Sequence, residues 1–245
     1  MRIATWNVNG LKSSLEELEV LFRDCDVICL QEIKTDILKY LKKEDFDCFW
    51  NPCEYRKNYA GTCLFVKRFL NAELVIKNGV SCCPYEGRDI CVKCGDIYIV
   101  CVYVPNSGVD RSNPLKRLSF RTTEWDSEFY AMVNAYDKVI VCGDLNIIYR
   151  NVDVHNPGSA CTKAGFTIKE QISYANTFAK TFQDAWVTVK GKDEIAYTYF
   201  GPYAKEKNKG WRLDYQLYKN VVPVKAEVLK EFESSDHVPL VVEWE

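Results

Sequence analysis

A chain of 245 residues, 47% hydrophobic and 13% aromatic, is long and apolar enough to bury a substantial core. Its formal net charge of -2 excludes a generally basic nucleic-acid coat, so a polyanionic partner has to be met by a local patch. No signal-peptide h-region and no run of roughly 18 apolar residues occurs, so an intracellular, non-secreted protein is expected, with its cysteines as thiols.

The first predicted strand is RIATWNV, closing on Asn9-Gly10. Residues 14–24 then place Leu15, Leu18, Leu21 and Phe22 on one face, the spacing of an amphipathic helix. Ser13 or Ser14 with Glu16 or Glu17 offers that helix a capping box. DVICLQ and GTCLFV follow as buried strands, and DICVK and DIYIVCVYV alternate around Gly95-Asp96 as a hairpin. A long mixed helix is expected from Pro114 to Tyr136, with proline in its first turn. KVIVCG is the next strand, a third helix covers Thr167 to Phe182, and WRLDYQLY and VPLVVEW complete the set. Cys29, Cys63, Cys101 and Cys142 fall in apolar strand slots, where free cysteine packs as a small hydrophobe. Cys91 and Cys94, with Cys82 and Cys83 upstream, lack the second half of a ribbon-like zinc site, so structural zinc is not expected. No linker, composition break or repeat divides the chain. A single domain over residues 1–245 is expected: an α+β fold, a four-layer α/β/β/α sandwich with two packed mixed sheets and helices outside.

The chemistry lies at the strand ends. They finish in Asn7 and Asn9, in Glu32, in Tyr103 and Asn106, in Asp144 and Asn146, in Asp214, and in Asp236-His237 before the last strand. Singly each has an ordinary explanation: a turn residue, a surface acid, a strand aromatic, or for Asp214 a core acid paired with Arg212. Together they put metal ligands and proton carriers where loops at one edge of a rigid sheet converge. Glu32, Asp144 and Asp236 are hard oxygen ligands, and Asn7 and Asn146 add neutral oxygens. With His237 beside them they make the expected metal set, suited to Mg²⁺ or Mn²⁺ rather than zinc. His237 with Asp214 makes an acid-imidazole couple that fixes tautomer and orientation. A Lewis acid, a positioned water and donors for developing charge are what phosphodiester hydrolysis requires.

WNVNGL, LQEIK, YVPNSG, CGDLN, NPG with KAGFT, GWRLDY and SDHVP occur in this order from end to end. This series resembles the exonuclease III family of abasic-site endonucleases, within the DNase I-like phosphoesterase superfamily. The resemblance implies that Glu32 and Asp236 hold the metal with Asn7 close by, and that Asp144 orients or deprotonates the attacking water. It implies that Asn146 fixes the phosphate and Asp144, that His237 on Asp214 contacts the scissile phosphate, and that the Tyr103 hydroxyl lies near it. Tyr199, Phe200 and Trp211 would line a pocket for a sugar without a base, with Asn106 and Arg88 nearby. The partner implied is duplex DNA containing abasic sites, engaged by a monomer in nucleus, nucleoid or cytoplasm, with no membrane involved.

Two basic runs are candidates for a DNA track: Arg111, Lys116, Arg117 and Arg121, and Lys205, Lys207, Lys209 and Arg212. Asn9 stands where many animal relatives carry an acid, Val109 where some carry a basic side chain, and the loop from Phe200 to Gly210 is short. No extension precedes the first strand, so no separate partner-binding arm is expected. The competing readings are a general 3′→5′ exonuclease, a phosphatase on another phosphoester, and a silent DNA-binding protein on a reused fold. The last would predict decay of the polar set, which is intact.

Overall fold

The computed structural model describes residues 1–36, 40–108, 113 and 115–245. In chain order its strands are β1 (Arg2–Asn7), β2 (Val27–Gln31), β3 (Phe46–Asn51), β4 (Thr62–Lys67), β5 (Glu73–Lys77), β6 (Asp89–Cys94), β7 (Ile97–Tyr103), β8 (Val139–Asp144), β9 (Gln183–Asp184), β10 (Asp214–Lys219), β11 (Pro223–Val228) and β12 (Leu240–Trp244). Helices are α1 (Leu15–Asp24), α2 (Leu118–Phe120), α3 (Asp126–Asn134), α4 (Pro157–Ala160), α5 (Ile168–Asn176), α6 (Phe178–Thr181) and α7 (Ala185–Lys190).

The strands form two six-stranded sheets, ordered β11-β12-β1-β2-β4-β3 and β5-β6-β7-β8-β10-β9. Each has one parallel pair at its centre, β1 with β2 and β7 with β8, flanked by antiparallel neighbours. A parallel pair needs a crossover. α1 supplies the first, and α2 with α3 supplies the second.

Alternation sets the layers. Ile3, Val27, Cys29 and Leu64 point between the sheets to meet Ile90, Ile99, Cys101 and Ile140. Ala4, Trp6, Ile28 and Phe65 face the other way and bury Leu18, Leu21 and Phe22 of α1. Val100, Val102, Val139 and Val141 do the same for Phe129, Val133 and Phe178. The result is the four-layer sandwich anticipated from the sequence. Each fully buried Val, Leu, Ile or Phe among them is worth about 1.5–3 kcal/mol.

Three local expectations are corrected. The capping box before α1 does not form, because a 3-10 turn over Leu11–Ser14 precedes the helix and Ser14 turns its hydroxyl to the Val8 carbonyl. Glu17 instead accepts from the backbone of Glu233 and Ser234. The second helix contains a π turn at Arg121–Trp125, and its expected start, Pro114, lies outside the described residues. The third breaks at Thr177 into α5 and α6. A true capping box does form at α5, where Thr167 and Glu170 exchange bonds. Cys91 and Cys94 face opposite sides of β6, one toward the helices and the other between the sheets, so they do not form one site.

Glu170 links fold to function. Its buried carboxylate accepts from Ser107 at 2.6 Å, from the Gly165 backbone at 2.9 and 3.0 Å, and from the Thr167 backbone and hydroxyl at 2.9 and 2.7 Å. It therefore ties the loop after β7 to the loop before α5. Glu170→Ala is expected to cost about 2–3 kcal/mol in denaturant unfolding, since it removes a cap and orphans buried donors.

Candidate active site

Sheet topology brings the predicted strand ends together. In the parallel pairs, Asn7 stands beside Gln31, with Glu32 next in the chain, and Tyr103 stands beside Asp144. The antiparallel neighbours begin at the same edge. Asp214 opens β10 directly opposite Asp144, and the segment carrying Asp236 and His237 leads into β12, which pairs with β1. Sharp turns aim the side chains: Asn9, Glu32 and Asn146 have φ of 45°, 52° and 47°. Left-handed backbone at non-glycine residues costs roughly 1–3 kcal/mol each and clusters at functional sites. Gly143, just before Asp144, has φ 157°, and a Cβ there would lie 1.9 Å from the Val102 carbonyl oxygen. Glycine is what lets β8 press against β7 at this point.

His237 is buried, with Nδ1 2.7 Å from Asp214 Oδ2 and Nε2 4.0 Å from Asp144 Oδ2. Burial disfavours the charged ring, but the adjoining Asp214 carboxylate outweighs it, and the pKa is raised to about 10. The Asp214 carboxylate thus favours the protonated ring. Asp144 is pushed up to about 7, by burial first, against the pull of His237, with Asp214 and Glu32 adding to the rise. The Arg212 pairing considered for Asp214 does not occur: Arg212 is buried on Asp153 and Asp184.

Amides set the carboxylates. Asn7 donates from Nδ2 to Glu32 at 2.9 Å and to Asp144 at 3.0 Å, while its oxygen accepts from the Asn9 backbone. Asn146 donates its backbone N–H to Asp144 Oδ1 at 2.9 Å and its amide to the Val104 carbonyl and to Asp144 Oδ2. The Asn146 oxygen accepts from Asn106 at 3.0 Å. Both asparagines thus turn amide donors toward the acids, while their oxygens accept from the Asn9 backbone and from Asn106.

Tyr103 is a hydrogen-bond donor. Its burial and the Glu32 charge hold the phenol well above its usual pKa, so it stays protonated beside Glu32. Arg88 lies beneath it, donating to the Tyr103 carbonyl at 3.1 Å and to Tyr59 at 2.7 Å, with Glu86 as its ion partner. Its guanidinium faces the Tyr103 ring at 4.8 Å. Arg88 is therefore a support for Tyr103 and not a pocket wall.

The groups face a cavity of about 460 Å³, walled on one side by Tyr199, Trp211 and Leu213 and reached by Asn106. Phe200 is not part of that wall. It turns into the core with Phe232 and Val238. Lys163 and Gly165 do line the cavity, and the KAGFT stretch was the signal for them. The basic runs shrink on folding: Arg121 is buried on Asp126 and Leu145, Arg117 reaches Glu86 and Tyr59, and Arg212 is internal. Lys116, Lys207 and Lys209 remain exposed. Arg111 and Val109 lie outside the described residues.

Among the described residues no three carboxylate, imidazole or thiol side chains converge on a single point as a closed cage. Lys34 and Asn9 stand between the outer two acids: Lys34 contacts Glu32 at 2.8 Å and Asn9, and Asn9 donates to Asp236 at 3.0 Å. Burial works against the Glu32 charge, but Lys34, Asn7 and Tyr103 hold its pKa below the usual value. Four carboxylates, Glu32, Asp144, Asp214 and Asp236, face two cations, Lys34 and the His237 ring. The excess of acids over cations here and their all-oxygen chemistry fit a hard divalent cation.

The model of the endonuclease/exonuclease/phosphatase family matches residues 4–237. The chain is 30% identical over 253 residues to an exodeoxyribonuclease of Bacillus subtilis, covering 98% of each. It is 34% identical over 226 residues to a DNA-(apurinic or apyrimidinic site) endonuclease of Dictyostelium discoideum, covering 88% of this chain and 61% of that protein. Its fold matches the crystal structure of an AP endonuclease from Leishmania major with TM-score 0.86 at 24% identity, over 98% of this chain and 86% of that one. The chain belongs to the endonuclease/exonuclease/phosphatase family.

Proposed function

We propose that the chain is a metal-dependent DNA phosphodiesterase that cuts duplex DNA on the 5′ side of an abasic site and leaves a 3′-hydroxyl. The observation that carries this reading is the Asp214–His237 couple, which turns Nε2 toward Asp144 at the end of an aromatic-walled cavity. The names of the relatives, an exodeoxyribonuclease and an abasic-site endonuclease, support the substrate class.

The scissile phosphate enters between His237 and Asp144. His237, held protonated by Asp214, donates a charge-assisted hydrogen bond to a phosphate oxygen as negative charge builds. Asp144 accepts the proton of the attacking water, its oxygens oriented by Asn7 and Asn146. The Tyr103 phenol offers a proton toward the leaving oxygen side. Glu32 and Asp236 would hold Mg²⁺ or Mn²⁺, which supplies Lewis acidity to the phosphate. Tyr199 and Trp211 accept a sugar where an intact nucleotide is too large.

EDTA is expected to abolish incision and added Mg²⁺ to restore it. Glu32→Ala should recover part of its activity at raised Mg²⁺, because a lost ligand weakens affinity first. Full activity in EDTA would remove the metal from the scheme.

The substrate is tested with matched duplexes, one intact and one with a single tetrahydrofuran residue. Strong preference for nicking the second is expected, and equal nicking of both would indicate a non-specific nuclease. A second reading, 3′→5′ trimming from ends, is favoured by the name of the Bacillus relative. It predicts progressive shortening with no internal nick.

A further inference from the structure

One cation in the cavity has no part in the chemistry above. Among the described residues Lys163 is the only lysine or arginine that lines it. It has no acidic partner among them. Its ammonium stands over the Trp211 ring, whose centroid lies 5.9 Å from Nζ.

Aromatic rings link His237 to Lys163: the His237 and Tyr199 rings are 5.0 Å apart, the Tyr199 and Trp211 rings 6.3 Å apart, and Lys163 Nζ is 5.9 Å from the Trp211 ring. The backbone beneath Lys163 is set firmly. Its N–H donates to the Ala160 carbonyl at 2.8 Å and its carbonyl accepts from Phe166 at 3.0 Å. Gly165, two residues on, donates to Glu170, and its carbonyl accepts from Ile148 at 2.6 Å. The ammonium is thus presented from a fixed loop on a long exposed stem.

An abasic sugar inside a strand carries two phosphates, one at each end. With the scissile phosphate at His237 and the sugar against Tyr199 and Trp211, the second phosphate emerges at the far end of the wall. Three acids in the cavity repel it, and Lys163 is the group placed to offset them. Resting on the phosphodiesterase reading, we infer that Lys163 is a specificity-determining residue that binds the phosphodiester on the 3′ side of the abasic sugar. A 3′-terminal nucleotide lacks that phosphate, so Lys163 biases the enzyme toward internal incision over end trimming.

The test uses two duplexes with one tetrahydrofuran residue, whose 3′ linkage is either the natural phosphodiester or a neutral methylphosphonate. On the natural duplex Lys163→Met is expected to lower kcat/KM about tenfold, the scale of one hydrogen bond to a charged group. The neutral linkage should lower the unaltered enzyme by the same factor, and the variant on the neutral linkage should lose nothing further. Lys163→Arg should restore most of the loss, and trimming of a 3′ end should fall less than incision. In anisotropy titrations the slope of log K against log salt should shrink by about 0.9 in the Met variant. An unaffected Met variant, or a tenfold loss that persists on the neutral linkage, overturns the assignment. Failure of the unaltered enzyme to incise either duplex overturns the phosphodiesterase reading and this assignment with it.

Discussion

His237→Asn is expected to lower turnover at least about a hundredfold while folding and DNA binding stay nearly intact. The backbone at this position is held without the ring: Trp6 Nε1 donates to the His237 carbonyl at 3.0 Å, and His237 N–H donates to Ser235 Oγ at 3.1 Å. The ring itself supplies charge, and Asp214 is why it has charge to supply. Asp214→Asn should therefore give a smaller loss and move the alkaline limb of the rate profile. With its pKa raised to about 10 the ring is expected to hold its proton well above neutrality, whereas without Asp214 the limb should fall toward the ordinary imidazole value of 6.5. The folded-state pKa is raised, so the stability His237 contributes is complete below 6.5 and is lost as pH rises through about 10. Both residues act as one unit, so the double variant should lose much less than the sum in free energy. Full additivity in single-turnover rates would dissolve the couple.

Asp144→Asn is expected to lower the rate about a thousandfold, within the range of general-base contributions. Both oxygens of Asp144 accept from donors, from the Asn146 backbone on one side and from Asn7 on the other. An amide at this position meets a donor with a donor, so the loss is chemical and positional together. Raised Mg²⁺ should not rescue it, in contrast to Glu32→Ala. Burial lifts the Asp144 carboxyl to about 7, so the rate in the unaltered enzyme should climb with pH toward that value. That climb should vanish in Asp144→Asn. Rescue by metal would exchange the roles of Glu32 and Asp144.

The central strands were legible because they are buried on both faces. VICLQ and VIVCGD have no exposed position, so they read as continuous apolar runs bounded by polar ends. The four strands not foreseen, β3, β5, β9 and β11, are the four sheet edges. ELVIK of β5 and PVKAEV of β11 carry charges and exposed side chains, as edges do, and so lack the apolar signal. At the site, the residue types at strand ends named the acids and the imidazole. Which atom each amide turns toward them was not legible, because that depends on contacts such as Asn106 with Asn146, forty positions apart. The same holds for Arg88, Phe200 and Arg212. Each reads as an exposed contact in sequence and is buried by partners that only the folded chain assembles.

The most direct test of the account is the position and chemistry of the cut. A duplex with one tetrahydrofuran residue, labelled at the 5′ end of the damaged strand, is incubated with the protein and Mg²⁺ and then offered to a DNA polymerase. The account predicts a single product ending at the nucleotide 5′ to the lesion, extendable without further processing because it carries a 3′-hydroxyl. A ladder of shortened strands with no product at the lesion, or a nick that a polymerase cannot extend, would contradict it.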